Sequence, residues 1–248
     1  MTAVIPGAEP LSVSGNDIGV LFVHGYTGSP SSMRALAIAA AEEGYTVELP
    51  RLAGHGTHVE ELMATGWADW TGDVEAAYDD LHQRVKHLVV VALSAGGGWA
   101  AWLALRRRVD GLMFVNPLVL PLPEDVIAHA IEAIESGIEV APGDGPDISK
   151  PGVEEVSYEG TPLRPLLSIQ AALEELAPRL GEIDDPVLIA TSPQDHVIDP
   201  VNSRELAARV TGNMRTITLE DSYHVATQDH DQAFLISEML GFIKEVTS

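Results

Sequence analysis

The 248-residue chain contains no cysteine. Disulfides, thiolate metal sites and cysteine nucleophiles are excluded together, and such a composition suits a reducing compartment. Basic residues are scarce as well: 14 Lys and Arg stand against 37 Asp and Glu, for a net charge of −23. A field of that sign repels phosphate backbones and anionic lipid surfaces, which argues against nucleic-acid partners and stable membrane insertion. No Lys or Arg precedes Arg34, so the basic start of a secretory signal is missing. The longest clearly apolar run, Leu88–Leu93, is far too short to span a bilayer. The expectation is a cytoplasmic protein.

What is present is an ordinary globular mixture, 46% hydrophobic and 21% charged, which excludes disordered, collagen-like and coiled-coil chains. The length fits one large domain, and no repeat or low-complexity segment divides it. Short apolar runs alternate with Ala-rich amphipathic stretches. Strands are expected at Ile18–Val23, Tyr45–Leu49, His87–Ala92, Gly111–Val115, Val187–Thr191 and Met214–Leu219. Helices are expected at Ser31–Glu43, from Trp67 to about His82, and at Gly96–Arg107, Val201–Val210 and Gln232–Val246. This alternation predicts an α/β fold with a mostly parallel central sheet and helices on both faces.

One stretch breaks the rhythm. Between Pro117 and Leu180 no strand is expected, only helix-like pieces at Glu124–Ser136 and Leu163–Leu176. The intervening Ala141–Pro162 carries four prolines and four glycines. A loop of that length inside a compact domain is usually functional, and a lid over a site is the expectation.

The run Ala92-Leu93-Ser94-Ala95-Gly96 joins an expected buried strand to a Gly-rich helix start. That context marks a nucleophile elbow, in which a tight strand–turn–helix exposes a strained serine. The small residue two before the serine is usually Gly; here it is Ala92. A serine hydroxyl needs a base and the base needs an orienting carboxylate, expected in the chain order Ser, acid, His. Asp195 follows the expected strand Val187–Thr191, and His224 follows Met214–Leu219. Asp199 and Asp221 compete with Asp195, but Asp199 precedes Pro200 as a helix-start cap and Asp221 reads as a turn residue. His196 adjoins the acid itself, His230 opens the last helix, and His82 and His87 read as structural. An oxyanion needs two donors. The Ala95 N–H follows the nucleophile, and the Tyr26 N–H lies in His24-Gly25-Tyr26-Thr27-Gly28, where Gly25 permits a tight turn. Trp67, Leu118, Leu120 and Leu122 are candidates for an apolar acyl pocket, Gly25 for the substrate-facing loop. His55 and His58 have a spacing that some metal sites use, without the cysteine or His-Glu-x-x-His support of a zinc site, so no metal is expected.

Five segments in order carry a resemblance: His24–Gly28, Gly54-His55-Gly56, Thr65-Gly66-Trp67-Ala68-Asp69-Trp70, Leu93–Gly97 and Ser222-Tyr223-His224-Val225. Together with the acid loop Asp195–Pro200, they resemble the bacterial carboxylesterase and monoacylglycerol lipase family of α/β-hydrolases, from about Val20 to the C-terminus. The resemblance implies a single α/β-hydrolase domain over residues 1–248, a small helical cap at 117–176, a Ser94–His224–Asp195 triad and no cofactor. It implies a small-molecule ester substrate and leaves oligomeric state open. The expected activity is hydrolysis of short- to medium-chain acyl esters or monoacylglycerols through an acyl-enzyme. The same triad also serves lactonases, thioesterases and C–C bond hydrolases, and a retired scaffold that only binds ligands is a third class.

Overall fold

The computed structural model describes residues 2–143 and 145–248. In chain order its elements are β1 (Leu11–Val13), β2 (Ile18–Val23), α1 (Arg34–Glu42), β3 (Thr46–Leu49), α2 (Val59–Met63), α3 (Trp67–His82), β4 (His87–Leu93), α4 (Ala95–Ala104) and β5 (Gly111–Val115). There follow α5 (Glu124–Glu135), β6 (Val140–Pro142), β7 (Gly160–Pro162), α6 (Leu163–Leu176), β8 (Val187–Thr191), α7 (Val201–Arg209), β9 (Met214–Thr218) and α8 (Gln232–Val246).

The sheet is built around β4, whose run Leu-Val-Val-Val-Ala-Leu is buried on both faces. Such a run has no solvent side to satisfy, so helices must cover it twice. Its neighbours are β2, in register from Ile18 opposite His87 to Val23 opposite Ala92, and β5, from Val89 opposite Gly111 to Leu93 opposite Val115. The full order is β1-β3-β2-β4-β5-β8-β9, parallel except for β1. Alternation along each strand splits the core. Val20, Phe22, Val89, Val91, Met113 and Leu188 pack with α1 and α8, whereas Leu21, Val90, Leu112, Phe114 and Ile189 pack with α3 and α4.

Three expectations change. Leu11–Val13 forms an antiparallel edge strand with β3. The 117–180 stretch does contain strands: β6 and β7 pair antiparallel, Val140 opposite Pro162. Each has three residues with a terminal or flanking proline and glycine, too short to show a two-residue period. Finally, α6 buries Ile169, Leu173 and Leu176 in the same cluster as Trp70 and Trp99. That half of the 117–176 segment is packed into the body of the protein, as are Leu118 and Val119 at its start.

Candidate active site

Ser94 closes β4 with φ 57° and ψ −129°, a backbone conformation that costs a side-chain-bearing residue of order 1–3 kcal/mol. Its surroundings hold it there. The Ser94 N–H donates to Val115 O at 3.1 Å, and its carbonyl accepts from Gly97 N at 2.8 Å and Leu118 N at 2.9 Å. The turn is possible because Gly96 has no side chain: a Cβ there would stand 2.6 Å from Val23 O and 2.7 Å from His24 O. Ala92 is wholly buried between Val23 on β2 and Phe114 on β5, and the core accommodates its methyl. The departure from Gly at this position therefore leaves the elbow formed.

Asp195 and His224 come from loops beyond β8 and β9, and their side chains meet: His224 Nδ1 donates to Asp195 Oδ2 at 2.7 Å. The other Asp195 oxygen accepts the N–H groups of Val197 at 2.8 Å and Ile198 at 2.7 Å. With only 2% of its side chain exposed, the carboxylate has both oxygens engaged, by three donors in all. Asp199 instead accepts from Val201 N at 2.8 Å and starts α7, as its sequence position implies. His224, Ser94 and Val225 line one cavity of ≈ 200 Å³ together with Gly25, Tyr26, Thr27 and Gly28.

The Tyr26 and Ala95 N–H groups have no acceptor among the described residues. Ala95 is the first residue of α4, so its donor has no intrahelical partner. Gly25 presses on the elbow: a Cβ there would lie 3.0 Å from Ser94 Cβ. Beneath this loop is a buried imidazole. His24 Nδ1–H donates to Gly25 O at 3.0 Å and Nε2 accepts from Leu52 N at 3.2 Å, which assigns its tautomer. The Gly25 carbonyl and Tyr26 N–H belong to one peptide plane, so this bond also directs the Tyr26 donor.

Burial holds His24 neutral, with its pKa pushed down to about 4, and pushes His55 beside it well down too. The unfolded chain takes up protons at such groups below about pH 6.5, where the folded chain does not. The contribution of His24 to stability therefore falls as pH drops from 6.5 toward 4, by about 3 kcal/mol. Denaturant midpoints between pH 7.5 and 4.5 should show this fall, and a His24→Gln variant should show a shallower one; equal slopes would refute the assignment.

The roof of the cavity is the Ala141–Pro162 segment, which contributes Pro142, Gly143, Gly145, Asp147, Glu155, Ser157, Tyr158 and Thr161. It is stitched to the Tyr26 loop: Tyr158 N donates to Thr27 O at 3.0 Å, Ser29 Oγ to Val156 O at 2.7 Å, and Tyr26 Oη to Pro162 O at 2.6 Å. Asp147, Glu155 and Asn116 are absent from the sequence expectation. Burial raises the Glu155 carboxyl above its ordinary pKa, with His224 pulling the other way. Asn116, at φ 43° after β5, donates to His224 O at 2.8 Å and accepts from Ser192 N at 2.7 Å, joining the two loops from below. Only the many Pro and Gly residues signalled the roof; nothing local marks these polar side chains.

The apolar pocket candidates are not at this cavity. Trp67 is 7% exposed and packs edge-on against Trp99 and Trp102 in the core, because α3 turns that face toward α4. Leu118 is buried in the same cluster, and Leu120 lines, with Leu122 and Val126, a separate groove against the acid loop. Trp67 is held in the helix layer, and Leu118, also buried, borders the groove that Leu120 lines. Of the remaining histidines, His87 pairs with Asp110 at 3.1 Å and His82 stacks on Tyr78.

An elbow serine at the carboxyl end of a parallel strand, sharing a cavity with a carboxylate-bound imidazole, is the layout of a hydrolase built on an open α/β sheet. The chain belongs to the alpha/beta hydrolase family, whose profile matches residues 20–236. It is 39% identical over 243 residues to the thermostable monoacylglycerol lipase of Bacillus sp. (strain H-257), covering 96% of this chain and 95% of that one. It is 26% identical over 251 residues to a carboxylesterase of Bacillus subtilis (strain 168), covering 99% of each. A solved structure described with the metagenome-derived lipolytic enzymes LipS and LipT superposes with a TM-score of 0.93 at 38% identity, covering 98% of this chain and 100% of the other. A Saccharomyces cerevisiae monoglyceride lipase shares the fold at a TM-score of 0.79 and 17% identity, over 97% of this chain and 90% of its own. Among the described residues, no helix is long and apolar enough to cross a membrane.

Proposed function

We propose that this protein is a serine ester hydrolase that cleaves short- to medium-chain acyl esters or monoacylglycerols through an acyl-enzyme on Ser94. His224 removes the Ser94 proton as the hydroxyl attacks the ester carbonyl, then returns it to the departing alcohol. Asp195 holds the imidazole with its proton on Nδ1 and stabilises the imidazolium. The Tyr26 and Ala95 N–H groups receive the oxyanion. Water activated by His224 then releases the acid. The single observation that supports this most is that Ser94 and the Asp195-bound His224 line one cavity. The ester-hydrolase names of the relatives at 39% and 26% identity point the same way.

In this reading residues 117–176 are the cap, and Glu155, Ser157 and Thr161 of that cap line the cavity shared by Ser94 and His224. The cysteine-free composition suits the cytoplasm. The test is a chain-length series of p-nitrophenyl esters and monoacylglycerols. Each buried CH₂ is expected to add ~0.8 kcal/mol to transition-state binding, about fourfold in kcat/KM, until the cavity is full. A plateau or fall within medium chain lengths supports the reading. No turnover of any ester, with hydrolysis of lactones, acyl-thioesters or vinylogous diketones instead, would move the substrate class; no turnover of any of them would leave a binding protein.

A further inference from the structure

Asp195 and His224 sit four and six residues beyond the last paired positions of their strands, Thr191 and Thr218. No sheet ladder reaches them, so other bonds must set their separation. From below, Asn116 holds the carbonyl of His224. From above, the holder is Asp147, which the chain delivers from the roof segment. Asp147 Oδ2 accepts two backbone donors at once, His196 N at 3.0 Å and His224 N at 3.1 Å. One carboxylate oxygen thus bridges the residue after Asp195 and the histidine itself. Its Oδ1 accepts from His196 Nδ1 at 2.8 Å, and its carbonyl accepts from Val225 N at 3.1 Å. The segment behind it is anchored in turn: Asp229 accepts from Ser149 N at 2.7 Å, Lys150 N at 2.8 Å and Tyr223 N at 2.9 Å. The amides of Tyr223, His224 and Val225 therefore all end on the roof segment or on the aspartate that anchors it.

We propose that Asp147 is a positioning residue, whose carboxylate clamps the acid loop to the histidine loop and so sets the Asp195–His224 pair against Ser94. This rests on the triad reading given above. The clamp reaches the chemistry only through two backbone amides, so losing it shifts His224 rather than removing a reacting group. Misplacement of a catalytic base by a fraction of an ångström to 1 Å costs up to about 100-fold in rate.

The experiment compares Asp147→Ala, Asp147→Asn and His196→Ala on a p-nitrophenyl ester, together with the rate at which a fluorophosphonate labels Ser94. Asp147→Ala should lower kcat about 30-fold or more with KM within about threefold, and should slow labelling by the same factor. Asp147→Asn keeps an oxygen for the two amides and an NH₂ for His196, and should recover to within about fivefold of the parent. His196→Ala leaves both amide bonds in place and should stay within about threefold. If Asp147→Ala does not fold, Asp147→Glu takes its place; the extra methylene displaces the carboxylate, and kcat should fall about tenfold at unchanged KM. The proposal is overturned if the Ala or Glu variant loses only thermal stability while kcat and labelling stay within threefold, or if Asn is as slow as Ala. Ser94→Ala separates the two levels: full activity in that variant ends the triad reading itself, whereas an inactive Ser94→Ala beside a fully active Asp147→Ala ends only the clamp.

Discussion

Replacing Ser94 by alanine is expected to lower ester turnover by about 10⁴–10⁶-fold while leaving the fold intact. The side chain is the only part of the elbow that changes, since the bonds to Val115, Gly97 and Leu118 are made by its backbone. Alanine at φ 57° is no harder to hold than serine, because both carry a Cβ. KM should change little, as cavity and donors remain. A fluorophosphonate should bind the parent one-to-one and fail to label the variant. Substantial turnover by the Ala protein would mean that another group, or none, attacks the ester.

Asp195→Asn is the second large effect, a loss of about 10⁴-fold in kcat. The reason lies in how both carboxylate oxygens are used. Oδ1 faces two N–H donors, Val197 and Ile198, and Oδ2 faces His224 Nδ1. An amide has one oxygen for three donors. Turned with its oxygen to the two backbone donors, Asn presents NH₂ to Nδ1, which must then accept, and the imidazole carries its proton on Nε2. That tautomer cannot take a proton from Ser94. The opposite flip sets NH₂ against two N–H groups in a buried site, at a cost of about 1–3 kcal/mol for each donor left unmet. A variant within tenfold of the parent would show that Asp195 is a structural ligand of the 197–198 turn and not the partner of the base.

The legible parts of this chain were those where a short stretch contains its own reason. The β-branched run of β4 reads as a buried strand because no residue in it tolerates water, and the small residues around Ser94 read as an elbow because only they permit the turn. Asp195 and His224 are candidates by chain order, since each follows an expected strand, and the structure joins their side chains at 2.7 Å across 29 positions. Trp67 and Leu118 do not line the cavity that holds Ser94 and His224, and the sequence could not show this for a general reason. An apolar side chain looks the same whether it faces a helix or a substrate, and only the direction of α3 and the start of the excursion decides between them. The antiparallel β6–β7 pair is not legible in the sequence because three-residue strands ending in proline have no period.

Asp147 and Asn116 are not legible in the sequence. Their partners lie far along the polymer, 49 and 77 positions away for Asp147 and 108 for Asn116 with His224, and no local spacing reports a bond of that range. The sequence alone determined the α/β alternation, the elbow and the order in which Ser94, Asp195 and His224 arrive, since backbone sterics and hydrophobic periodicity act over a few residues. Which loops close on one another, what roofs the cavity and what holds the histidine were decided by tertiary structure. Those bonds arise only once folding has carried distant polar groups to the same edge of the sheet.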